Sequence, residues 1–148
     1  ASVPARFRRR ACSLLAGTKC GNRGGLKHRQ HHHEIGIRRL VVTHPHAAFI
    51  GATAEDMREL ASLGAMNEMH YAFVTQVIVP PQTFGFIAEM IRAAGVESCY
   101  LATDGGQKVN PRPAEALRLF IAGMLDEGFS EDEVRYMVAD APRKLLVD

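Results

Sequence analysis

Long apolar runs are missing from this sequence. No stretch of the 148 residues approaches the roughly 20 uninterrupted apolar residues that a membrane-spanning helix needs, so a soluble protein is expected. Cysteine is scarce as well. The three present, Cys12, Cys20 and Cys99, are an odd number without metal-knuckle spacing. That argues against a disulfide-stapled secreted domain and makes a reducing cytoplasm the expected setting. Acid is almost absent from one end: residues 1 to 39 hold ten Lys and Arg against Glu34 alone, a balance of about +9. The remaining residues hold eight basic and fifteen acidic side chains, a balance of −7 hidden inside the overall +2. What the chain does have is 47% apolar residues, enough to fill the core of one domain of ordinary size.

The basic end, "ASVPARFRRRACSLLAGTKCGNRGGLKHRQHHH", shows no helical or strand periodicity beyond a short "ACSLLA". Its glycines and like charges predict a solvated arm, poorly ordered up to about residue 30. A nucleic-acid tail would need interleaved aromatics and a folded basic face, and nucleic acid is therefore not the expected partner. An organelle-targeting segment is the other alternative, although no clear amphipathic helix supports it. The run His31, His32, His33 could take up a metal adventitiously, but three consecutive residues on a helix or strand cannot all face one ion.

From Ile35 onward the pattern becomes regular. "IRRLVVT" (37–43) is rich in β-branched residues and predicts a strand buried on both faces. "TAEDMRELASLG" follows as a helix, with Thr53 as N-cap, Met57, Leu60 and Ala61 inward, and Gly64 as its stop. "AMNEMHYAF" (65–73) is a second strand, weakened by Asn67, Glu68 and His70. "PPQTFGFIAEMIRAAG" predicts a helix with Phe84, Ile87, Ala88 and Ile91 in its apolar stripe. "VESCYLATD" (96–104) is a third strand. A further helix carries Leu117, Phe120, Ile121, Met124 and Leu125. Ser130 and Glu133 then form a capping box for a last helix with Val134, Met137 and Val138 inward. The order β-α-β-α-β-α-α predicts an α/β fold with a parallel sheet.

Ligands of parallel α/β folds sit at the carboxyl ends of the strands. Here the first strand ends at His44, the second supplies Glu68 and His70, and the third ends at Asp104. Imidazole and carboxylate together are the donor set of hydrolytic zinc and related divalent sites. A carboxylate such as Asp104 could also act as the general base toward a metal-bound water, whose pKa the ion brings to roughly 7.

The motifs "IRRLVVTHP", "LASLGAMNE", "LATDGGQ", "NPRPAEALRLFIAGMLDEGFSEDEVRYMV" and "APRKLL" resemble, in the same order, the C-terminal part of an amidohydrolase-superfamily (β/α)8 barrel. The likeness is to an uncharacterised bacterial family of metal-dependent-hydrolase-like proteins. It implies that residues 35–148 are the last three βα units of a TIM-type barrel plus its C-terminal helices, and that residues 1–34 are a head unrelated to it, as from a truncated or misread gene. It implies His44 as the sixth-strand metal ligand and Asp104 as the eighth-strand ligand and catalytic base. Glu68 falls at the end of the seventh strand, where the resembling family carries a glutamate facing substrate. His46 and His70 have no assigned role in that pattern and read as supporting or surface residues, His70 being a candidate for substrate binding beside Glu68.

The first-strand H-x-H, the fourth-strand bridging residue and the fifth-strand histidine have no counterpart in residues 1–34. The expected function is metal-dependent hydrolysis of a C–N or ester bond in a small-molecule substrate, with a divalent metal, zinc in expectation, as cofactor. The alternative is a catalytically inactive barrel fragment acting as a binding or structural module. Three βα units cannot close a barrel, so an edge and an apolar face would be left bare. Self-association would cover them; a head folded over one edge of a three-stranded layer is the monomeric alternative.

Overall fold

A computed structural model describes residues 12–14, 39–76 and 80–146. Three parallel strands form its centre: β2 (Leu40–Thr43), β3 (Ala65–His70) and β4 (Cys99–Ala102). β2 pairs with β3 in the register Leu40↔Ala65 to Thr43↔Glu68, and β3 pairs with β4 from Asn67↔Cys99 to His70↔Ala102. A three-residue segment, β1 (Cys12–Leu14), runs parallel to β2 on its other side, within the "ACSLLA" stretch. The rest of the basic head, including His31 to His33, lies outside the described residues. Spatial order follows chain order, β1-β2-β3-β4, so each crossover steps one strand in the same direction.

The helices close the connections. α1 (Ala54–Ser62) starts at Thr53, whose hydroxyl accepts from the Asp56 amide while the Asp56 carboxylate accepts from the Thr53 amide. Met57 and Leu60 are its buried face, as the spacing predicts. α2 (Phe84–Ala94) is capped by Thr83 and ends at Gly95, which has φ 92°. α3 (Pro113–Asp126) begins on a proline, whose missing N–H costs nothing in the first turn. α4 (Glu131–Arg135) carries the Ser130–Glu133 capping box and runs through a π segment, Tyr136–Asp140, into α5 (Ala141–Leu146). The ladder widens just before Pro142, which has no N–H to give to the preceding turn. No helix among the described residues is long and apolar enough to cross a membrane.

Period-two alternation divides the sheet into two faces. Met69, Cys99 and Leu101 turn to the helices and join Met57, Ile87, Ile91, Phe120, Met124 and Met137 in one core. Leu40, Ala65 and Leu60 make a smaller cluster at the β2 end. Burial also raises the Cys99 thiol to a pKa of about 12, so it serves as an inert core residue. The opposite face presents Met66, Glu68, His70 and Tyr100, and it is there that the polar side chains collect.

Three boundaries differ from the sequence reading. The first strand begins at Leu40, with Arg39 before it outside the strand and 37 and 38 outside the described residues. The second ends at His70, where a 3-10 turn, Tyr71–Val74, tucks Tyr71 and Phe73 into buried positions. The third starts only at Cys99, after a short turn over Val96–Ser98. α3 is also rotated from the expected stripe: Ala116, Phe120, Gly123 and Met124 are buried, while Leu125 is 38% exposed.

Gly123 explains that rotation. A Cβ there would fall 2.7 Å from the Phe84 ring, which packs tilted against Tyr71 and Phe120 at centroid distances of 6.4 and 6.1 Å. Gly123→Val is expected to cost about 1–3 kcal/mol in urea unfolding, because an overpacked contact forces the ring from its place. An unchanged midpoint would show that α3 does not approach α2 this closely.

Candidate functional site at the carboxyl ends of the strands

The cross-strand register builds this site. Glu68 and His70 are two apart on β3, so they share a face. Tyr100 is the β4 partner of Glu68, and its hydroxyl donates to Glu68 Oε1 at 2.7 Å. Thr43 is the β2 partner of the same glutamate and also bonds its carboxylate. His70 Nε2 stands 3.1 Å from Glu68 Oε2, and His70 Nδ1 stands 3.5 Å from Asp104 Oδ2. His70 thus lies between two carboxylates, with a side chain only 6% exposed.

His44 enters from β2. Its amide continues the ladder by donating to the Glu68 carbonyl at 2.9 Å, and its ring meets the His70 ring edge-on at a centroid distance of 5.3 Å. Phe49 and Phe73 pack on the same imidazole. His46 follows one residue beyond Pro45 and is buried; its Nε2 accepts from the His70 amide at 3.4 Å. Gln82 holds the His46 carbonyl from the far side.

Two residues of the site carry backbone strain. His44 has φ 41° and Asp104 has φ 47°, and no other non-glycine residue described has a positive φ. L-residues pay roughly 1–2 kcal/mol in that region, and such costs concentrate at functional positions. Glycine is therefore expected to give a more stable fold than alanine at positions 44 and 104, by about 1 kcal/mol at each. Urea unfolding of the four variants measures it; equal stabilities would mean that the backbone relaxes out of this conformation.

Electrostatics sort the protonation states. Burial lowers the His44 pKa, with the neighbouring His70 adding to it, and burial takes His46 down to about 3. Both imidazoles are therefore neutral at pH 7. Burial alone would raise Glu68, but bonds from His70, Tyr100 and Thr43 hold it at about 2, so it is a carboxylate. Tyr100 is pushed up by burial and by that carboxylate, and it stays a proton donor.

Three buried imidazole nitrogens have no hydrogen-bond partner: Nδ1 of His44, of His46 and of His70. They do not mean the same thing. His46 spends its Nε2 lone pair on a backbone N–H, so its neutral ring carries the proton on Nδ1 and offers nothing to a cation. His44 and His70 keep lone pairs to give. The half-buried imidazole of His44 and the buried one of His70, beside an exposed Asp104, are donor types that a divalent ion uses. Among the described residues, however, no three His, Cys, Asp or Glu side chains already stand as a metal-ligand group.

The strand ends bring His44, Glu68, His70 and Asp104 to one rim, and His70 lies against both His44 and Asp104. Glu68 does not face open space; Tyr100 and His70 take both of its oxygens. The surface reading of His46 and His70 fails, because they are 2% and 5% exposed. Their signal was present in the sequence: His70 lies two after Glu68, on the same strand face. Tyr100 and Gln82 carried no such mark, since only strand register and the turn before α2 place them here. No family model, curated protein or solved structure matches the chain.

Proposed function

We propose that this rim binds a divalent metal, zinc by its donor set, and that the chain is a metal-dependent hydrolase of the amidohydrolase type acting on a small molecule. The observation that carries the reading is the pair of strained, strand-terminal residues, His44 and Asp104, flanking a buried imidazole with an unused lone pair. His44 and Asp104 would hold the ion. Such an ion supplies a Lewis acid that makes water a nucleophile near neutral pH.

The chain's own groups do the rest. Asp104, exposed at the rim, takes the proton from the attacking water. His70, buried, stands behind that carboxylate with Nδ1 at 3.5 Å from Asp104 Oδ2. Phe49, 56% exposed next to His44, gives a substrate an apolar wall. The strand order, with each crossover stepping the same way, supports a segment of a (β/α) barrel as the architecture.

The test is hydrolysis of a panel of small esters, amides and ureides by the full chain, with zinc or manganese and after chelation. Turnover that chelator removes and metal restores is expected for at least one ester or amide. If the folded, metal-supplied chain hydrolyses none of them, the inactive-module alternative holds.

A further inference from the structure

We propose that Phe49 is the specificity-determining residue of the rim and that it selects a small molecule carrying an aryl ring. This rests on the rim being the substrate site, as proposed above, and on no ion. Phe49, Phe86, Val109, Leu125 and Leu146 are the large apolar side chains left exposed among the described residues. Single exposed apolar residues are ordinary on a protein surface. Phe49 differs because the turn beneath it and the rings of the site hold it in place.

The segment after β2 presents this ring. Pro45, His46 and Ala47 are buried, while Ala48 and Phe49 stand at an exposed tip. The Ala47 amide donates to the His44 carbonyl at 3.0 Å, and the Ile50 and Gly51 amides both donate to the Ala47 carbonyl, at 2.9 and 3.1 Å. Gly51 closes the turn with φ 68°, which glycine adopts without strain. Beneath the tip lies buried Phe73, tilted against Phe49 at a centroid distance of 6.0 Å. His44 meets Phe49 edge-on at 5.4 Å. One side of the ring therefore rests on an aromatic base, and the rest stays open to solvent.

That arrangement favours a ring over a chain. Aromatic pairs in tilted, edge-on or offset contact gain more than the area they bury, whereas an alkyl group gains the area alone. A side chain already held in place also loses little freedom on binding. His44 lies against Phe49 and His70, and His70 lies beside Asp104, so an aryl group on Phe49 stands on the same rim as the exposed carboxylate.

The test is NMR of the full chain with isotope-labelled phenylalanine rings, titrated with benzamide, cyclohexanecarboxamide and acetamide. Benzamide should bind about five- to tenfold tighter than the other two, moving the Phe49 resonances and leaving those of Phe86 in place. Phe49→Ala and Phe49→Leu should each lose that preference, and Phe49→Tyr should keep it. Unmoved Phe84 and Phe120 resonances will confirm that each variant keeps its core. The proposal is overturned if benzamide does not bind, if Phe49→Ala binds it as tightly as the parent, or if cyclohexanecarboxamide binds the parent equally well. Benzamide binding through Phe49 in a chain that hydrolyses no ester or amide upholds the proposal and sinks the hydrolase reading. Hydrolysis of benzoate and acetate esters with equal kcat/KM, unchanged in Phe49→Ala, does the reverse.

Discussion

Stability should fall by about 2–3 kcal/mol from His46 alone as pH drops from 6.5 to 4.5, since one proton is worth about 1.4 kcal/mol per pH unit. The unfolded chain binds that proton near pH 6.5, while the buried imidazole refuses it until about pH 3. The unfolded state therefore holds more protons across the window, and acid favours it. Glu68 acts with the same sign in a lower window. Its folded pKa of about 2 lies under the ordinary 4.5, so the stability it contributes above pH 4.5 is lost as pH falls toward 2. His44, also lowered, adds to the loss in the upper window. Urea midpoints at pH 7, 6, 5 and 4 should thus decline with a slope that steepens below 4.5. His46→Gln keeps an acceptor for the His70 amide but cannot titrate, and it should flatten the upper window by about one proton. An unchanged slope in that variant would mean that His46 titrates normally in the fold.

The second large effect is on turnover. A positioned general base contributes typically 10²–10⁴-fold. Asp104→Asn keeps the size and the tolerance for a positive φ but removes the proton acceptor, so a loss of about that size in kcat/KM is expected. Its unfolding midpoint should stay close to the parent's, because the Asp104 side chain is 44% exposed. A drop of less than about tenfold in kcat/KM would take Asp104 out of the chemistry. The change must be read with zinc saturating, which separates proton transfer from metal loss.

Much of the fold was legible because its elements are punctuated by residues with physical consequences. Thr53 and Ser130 cap helices through their hydroxyls, and Gly95 ends one with a positive φ. The second strand was harder to see, since Glu68 and His70 put polar groups where an apolar run was expected. That interruption was the site itself: on β3 the apolar Met69 serves the core while Glu68 and His70 serve the rim. His44 and Asp104 were visible as strand-terminal residues, yet their left-handed backbone was not, since φ has no trace in composition. Tyr100 looked like one more strand aromatic. Only the register that sets it opposite Glu68 gives it a role, and register is a long-range property.

The central claim, a divalent metal held at the ends of parallel strands, is tested most directly by equilibrium zinc binding to the full chain with His31, His32 and His33 replaced by alanine. One zinc per chain is predicted, in rapid exchange, with an affinity that falls at least tenfold in His44→Ala and in Asp104→Ala while both variants stay folded. Zinc binding that is absent, or unchanged in both folded variants, would contradict the account and leave these residues as turn formers at the ends of two strands.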